Sequence, residues 1–157
     1  TPRIINHYNV KYNIDSSKMT LNETYTEIWA KLINSYLIVK LINETPTYRD
    51  YQRVVSLEKK FSLIQATKIM NHLESLDEKI DLNHKTNPVA YYLAISELFQ
   101  ILDLFLEFRF KNKNIFYLKN NTIVNNLLLN YSLKPKIKDF PTLFDKTFRM
   151  TTMELKV

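Results

Sequence analysis

The stretch Pro88 to Phe110, PVAYYLAISELFQILDLFLEFRF, decides the fold class. Tyr92, Ile95, Leu98, Phe99, Leu102, Phe105 and Leu106 recur at helical spacing, and Val89, Tyr91, Leu93, Ile101, Leu104 and Phe108 fill most of the remaining circumference. Only the stripe Ser96, Gln100, Asp103 and Glu107 stays polar. A helix apolar on most of its surface must be enclosed by other elements. The reading is therefore an all-α fold, a helical bundle around a central hydrophobic helix over about 88–110. As one straight rod that helix would be roughly 35 Å long at about 1.5 Å per residue. A membrane span is the rival reading. It would place Glu97, Asp103 and Glu107 in hydrocarbon at a cost of several kcal/mol, so a water-soluble core helix with no membrane span is expected.

The chain has 157 residues, enough for one domain that buries its own core. Its expected organisation is an extended N-terminal arm over 1–19, a three-helix core over 20–110 and a basic, aromatic-rich part over 111–157. There is no cysteine, hence no disulfide framework and no thiolate chemistry, and the expected location is intracellular. The first residue is Thr rather than Met, which leaves room for a start methionine, a leader or further chain upstream. Asn, Lys, Ile, Tyr and Phe are abundant, a skew that an AT-rich genome explains more simply than any function does.

Glycine is absent, where a chain this long would carry roughly ten. Left-handed positions at helix ends then fall to Asn, and Asn43, Asn83, Asn112 or Asn114, and Asn130 stand where apolar periods stop. The same absence excludes a phosphate-binding Walker loop, a dinucleotide fingerprint and a nucleophile elbow, all of which need glycine where the backbone turns sharply or approaches phosphate.

Working outward from the central stretch, Asn87-Pro88 reads as its cap. Upstream, Thr45-Pro46 opens a second helix with Pro at its first position; its stripe runs Tyr51, Val54, Leu57, Phe61, Ile64, Ile69, Leu73, Leu76 and Ile80. Ser75 to Glu78 repeats a capping-box pattern, so a break or bend near Ser75 is foreseen. Before that, Thr20-Leu21-Asn22-Glu23 is a capping box opening a helix whose buried stripe is Tyr25, Ile28, Trp29, Leu32, Tyr36 and Val39, broadened by Ile33, Leu37 and Leu41. At the start of the chain Tyr8, Val10, Tyr12 and Ile14 alternate with polar residues. Period two predicts a strand or extended arm, lying on its own bundle or along a neighbour, with Ile115–Leu118 as the one ladder partner in sight. Downstream, Asn121 to Tyr131 has helical spacing, residues 133–138 form an extended basic run, and Phe140-Pro141 opens a short last helix.

Charge is unevenly placed. Lys and Arg against Asp and Glu number 12 to 13 over residues 1–108 and 10 to 3 over 109–157, so the positive excess sits in the last third. Arg109, Lys111, Lys113, Lys119, Lys134, Lys136, Lys138, Lys146 and Arg149 are the candidate partner-binding residues there, together with Phe116 and Tyr117. Cations beside aromatics suit an acidic protein surface, or the phosphates and unstacked bases of RNA, or are merely a solvated face with its aromatics turned inward.

Catalytic devices are not in evidence. His7, His72 and His84 form no metal-ligand spacing, and Glu74, Asp77, Glu78 and Asp81 read as an exposed acidic face rather than a cation site. Asp103 and Glu107 lack the Glu-x-x-His partners of a carboxylate metal site. No catalytic residue, cofactor or metal is assigned. Sequons at Asn22, Asn43, Asn120 and Asn130 are expected by chance in so Asn-rich a chain. Tyr48-Arg49 resembles the Leu-Tyr-Arg motif of mitochondrial adaptor proteins, but Thr47 replaces the leucine and nothing else matches, so no family is assigned.

Three functions are consistent with these features. The first is a non-catalytic protein-interaction or structural subunit of a larger assembly. The second is a nucleic-acid (RNA) binding domain using the basic last third. The third is a helix-in-groove bundle of Bcl-2-like architecture, although the glycine-containing signature of that family is missing.

Overall fold

Asn87 opens the apolar stretch as the sequence requires. In the computed structural model, which describes residues 2–17, 19–76, 78–81, 87–111, 121–131 and 133–138, its side-chain Oδ1 accepts the Ala90 N–H at 3.1 Å. Its amide donates to the Thr20 carbonyl at 3.0 Å and to the Glu23 carboxylate at 3.1 Å. This explains why the expected box at Thr20 does not form: Glu23 serves Asn87, and the helix starts one turn-quarter later with Leu21 at its cap and no side-chain bond.

The described residues are mostly helical. In chain order they are α1 (Pro2–Tyr12), a two-residue strand β1 (Ile14–Asp15), α2 (Asn22–Ile42), α3 (Tyr48–Glu74), β2 (Ile80–Asp81), a π-helical turn (Val89–Ala94), α4 (Ile95–Gln100), α5 (Leu102–Lys111) and α6 (Asn121–Tyr131). Helix α6 has the bounds that its spacing predicts.

The central stretch is not one rod. Its first residues are wound as a π-helix, and the buried Thr24 hydroxyl of α2 donates to the Ala90 carbonyl there at 3.0 Å. At Ile101 the axis turns by 83°. The Ile101 N–H returns to the Leu98 carbonyl at 3.2 Å, and the Ile101 carbonyl accepts from Phe105 N–H at 3.0 Å, so one residue ends α4 and starts α5. The bend lets the segments before and after it face different neighbours. Ile95, Leu98 and Phe99 are buried where α4 meets α2 and α3. Phe105 instead packs its ring against Tyr25 and Trp29 of α2, with centroids 6.2 and 5.6 Å away. Each of these fully buried side chains contributes about 1.5–3 kcal/mol relative to exposure. Leu104, Phe108 and Phe110 stay exposed on the outer side of α5. No single helix among the described residues is long and apolar enough to cross a membrane.

The expected extended arm is instead helix α1. Ile4, Tyr8 and Tyr12 are all buried, at four-residue intervals, whereas Val10 of the alternating set is exposed. Helical spacing therefore prevailed over period two, because it carries both tyrosines to the same buried carboxylate, described below. Asn13 then takes φ 52°, the left-handed turn that leads out of α1. The short strand that follows pairs in parallel with β2, Ile14 opposite Ile80; Ile115–Leu118, the expected partner, lies outside the described residues.

Asparagine thus takes the left-handed position, but at 13 rather than at the sites expected. Asn43 ends α2 in extended conformation, its N–H returning to the Val39 carbonyl at 3.0 Å, and Asn130 lies inside α6. Asn83, Asn112 and Asn114 lie outside the described residues, as does the short last helix expected from Phe140. Helix α3 begins at Tyr48, two residues beyond Pro46. Its cap is Thr47, whose hydroxyl accepts the Asp50 N–H at 3.3 Å while the Asp50 carboxylate accepts the Thr47 N–H at 2.9 Å. These bonds from Thr47 hold the Asp50 carboxyl below its ordinary range. Thr47→Ala should cost about 1 kcal/mol, read as a lower urea midpoint with an unchanged slope. At its other end α3 stops at Glu74, with the Ser75 N–H returning to Asn71 and His72, near the break expected at Ser75; Ile80, expected on the stripe of this helix, is instead in β2.

Candidate interaction surface

Of the basic residues of the last third, Arg109, Lys111, Lys134, Lys136 and Lys138 are among those described, and they have different surroundings. Arg109 is 1% exposed: its guanidinium donates to the Tyr25 hydroxyl at 2.5 Å and lies 5.0 Å from that ring's centroid. It is a core residue joining α5 to α2, which corrects its assignment to a partner-binding face. Lys111 is engaged by Glu107 one turn back, and Lys136 by Glu74 of α3 at 2.5 Å. Lys134 places its ammonium 5.8 Å from the Tyr12 ring, and Lys138 is exposed. Lys113, Phe116, Tyr117, Lys119, Lys146 and Arg149 lie outside the described residues. Residues 133–137 have no regular secondary structure, and the Thr67 hydroxyl of α3 accepts the Ile137 N–H at 3.2 Å.

A second polar cluster was not foreseen. Glu97 has no exposed surface. Its carboxylate accepts the Tyr8 hydroxyl at 2.9 Å, accepts the Tyr12 hydroxyl as well, and pairs with the Lys11 ammonium at 3.0 Å. Burial, and then the Glu97 charge, push both phenol groups above their ordinary range, so they remain protonated donors. Three donors from a single helix converge on one buried acid and fasten α1 to α4. His7, on the same helix, is held below the ordinary histidine range by burial and by Lys11, with Glu97 opposing. Its imidazole should accordingly titrate below about 6.5 in a proton NMR pH series. The sign follows from linkage: the unfolded chain takes up this proton first, so the contribution of His7 is present above that pH and is lost as pH falls through the folded value.

Between α2 and α3, the buried Lys31 ammonium lies 3.6 Å from the Glu58 carboxylate and 3.7 Å from Glu27. The outer face of α2 carries exposed apolar groups alongside Thr26, Asn34 and Lys40. Ile33, Leu37 and Leu41 follow one another at four-residue spacing on that face, and Leu37 and Leu41 are 50% and 85% exposed. Tyr36 lies beside them, its ring 6.4 Å from Tyr51 of α3. Tyr48, 74% exposed, stands at the edge of a groove of about 210 Å³ whose walls include Leu32, Tyr51, Val55, Leu102 and Leu106. The sequence places Ile33, Tyr36, Leu37 and Leu41 in the buried stripe of α2; the structure turns all four outward. Helical period alone does not tell a core-facing row from a partner-facing one. Comparison with protein-family models, with curated proteins and with solved structures finds no match to this chain.

Proposed function

We propose that the chain is a non-catalytic helical subunit of a larger assembly, a bundle organised around the bent segment 88–110, and that it docks a partner protein on the outer face of α2. The observation that carries this reading is the exposed row Ile33, Leu37 and Leu41, with Tyr36 next to it on the same helix. Apolar groups at i, i+4 and i+8 form a ridge of the kind that packs into the grooves of a second helix. Exposed apolar area of this type marks an interaction surface more often than a solvated face. The partner is accordingly a protein that presents an amphipathic helix. Lys40, on the same helix between Leu37 and Leu41, is exposed, which favours acidic residues flanking the partner helix.

The test is affinity purification from the native source with the wild-type chain and with a Leu37→Glu, Leu41→Glu variant as bait, followed by reconstitution of the complex from purified chains. A protein recovered and reconstituted by the wild type and lost by the variant supports the reading. Equal recovery by both baits overturns it. The nucleic-acid alternative draws less support, since Arg109 is in the core and Lys111 and Lys136 are engaged by carboxylates.

A further inference from the structure

Helix α1 carries cations and no acid. Arg3, His7 and Lys11 recur at four-residue intervals along it, and Pro2–Tyr12 contains neither Asp nor Glu. All three side chains line one cavity of about 450 Å³, completed by Asn6 and Val10 of the same helix and by Leu129 of α6. Its volume falls within the range of small-molecule sites. Among the described residues no carboxylate lines it.

The three groups are differently prepared. The Lys11 ammonium is held at the wall by the buried Glu97 carboxylate at 3.0 Å, so it is positioned before any ligand arrives, and its charge is offset from behind. Arg3 is exposed and makes no ion pair with the described residues, and its guanidinium offers a planar pair of donors. His7 has a buried Nε2 with no hydrogen-bond partner among the described residues, a polar atom that a ligand oxygen would satisfy. Val10 and Leu129 add an apolar wall.

We propose that this cavity binds a small soluble organic anion, a phosphate or carboxylate on a short apolar body, with Arg3, His7 and Lys11 meeting the anion and Val10 and Leu129 the body. The site is on α1 and α6, apart from the outer face of α2, and stands whether or not that face docks a protein. The same chemistry is offered by an anionic lipid headgroup, so the experiment carries a membrane arm.

The probe is phenyl phosphate, titrated into the full chain and followed by calorimetry and by the His7 ring proton resonances. Saturable one-to-one binding is expected, with a Kd of about 0.1–1 mM and a progressive shift of the His7 resonances. Arg3→Gln should weaken it by about tenfold, the loss of one charge-assisted contact. Lys60→Gln, an exposed cation on α3, should leave it unchanged. Wild-type vesicle flotation, with phosphatidylcholine alone and with phosphatidic acid added, forms the other arm. No saturable binding of phenyl phosphate overturns the proposal. So does an equal loss in the Arg3 and Lys60 variants, which indicates diffuse charge, or no loss in the Arg3 variant. Capture by the acidic vesicles without binding of the free phosphate assigns the charge to a membrane and overturns it as well.

Discussion

Glu97→Ala should destabilise the folded chain by about 3–5 kcal/mol, the largest effect expected of any single substitution outside the apolar core. The acid is fully buried, and its removal strands three partners at once: the Tyr8 and Tyr12 hydroxyls lose their acceptor and Lys11 its counterion. The penalty comes mostly from what is left behind, because donors shut away from water with nothing to bond cost more than the original contacts contributed. Two further variants separate the components. Glu97→Gln keeps an acceptor for the phenols but gives up the charge, so it should recover part of the loss. Tyr8→Phe removes a donor and leaves the acid otherwise served, for about 1 kcal/mol. Urea denaturation gives the totals, and amide exchange shows where the loss falls: α1 should exchange far faster in Glu97→Ala, while α3 is accelerated only by the global change. A Glu97→Ala chain within about 0.5 kcal/mol of wild type would mean that α1 does not depend on this acid.

Leu37→Glu combined with Leu41→Glu should weaken capture of the partner protein by about a hundredfold or more, equivalent to about 2.7 kcal/mol. Both side chains are already half or more exposed, so charging them removes little from the core, and the urea midpoint of the isolated chain should move by less than about 0.5 kcal/mol. That combination, a large effect on association beside a small one on folding, distinguishes a docking row from a badly covered core. The opposite pattern, lost stability and intact binding, would place the row inside the fold and end the interface assignment.

The helical class was legible from Pro88 to Phe110, and so were the Asn87 cap, the end of α3 near Ser75 and the bounds of α6, because each rests on contacts between near neighbours in the chain. What sequence could not supply was the identity of distant partners. Tyr8 and Tyr12 satisfy a period of two and a period of four alike; Ile4 and the far-off Glu97 decide between them. Arg109 looks like any surface cation until Tyr25 is placed against it. The central stretch bends at Ile101 although it contains no glycine and no proline after Pro88; the turn lets Ile95, Leu98 and Phe99 before it and Phe105 after it be buried against different neighbours. Ile33, Leu37 and Leu41 share the helical period of the core, and only coordinates show that nothing among the described residues covers them.

The way α1 is tied down also sets an order of assembly. Helices α2 and α3 are joined by five residues, and their contacts close a short loop. By contrast, the bonds from Tyr8 and Tyr12 to Glu97 span 89 and 85 positions, and β1 reaches forward past two helices to β2. Closing so long a loop before its ends have something rigid to meet is entropically unfavourable. The N-terminal helix therefore docks late in folding and detaches early in unfolding, which makes it the latch of the domain.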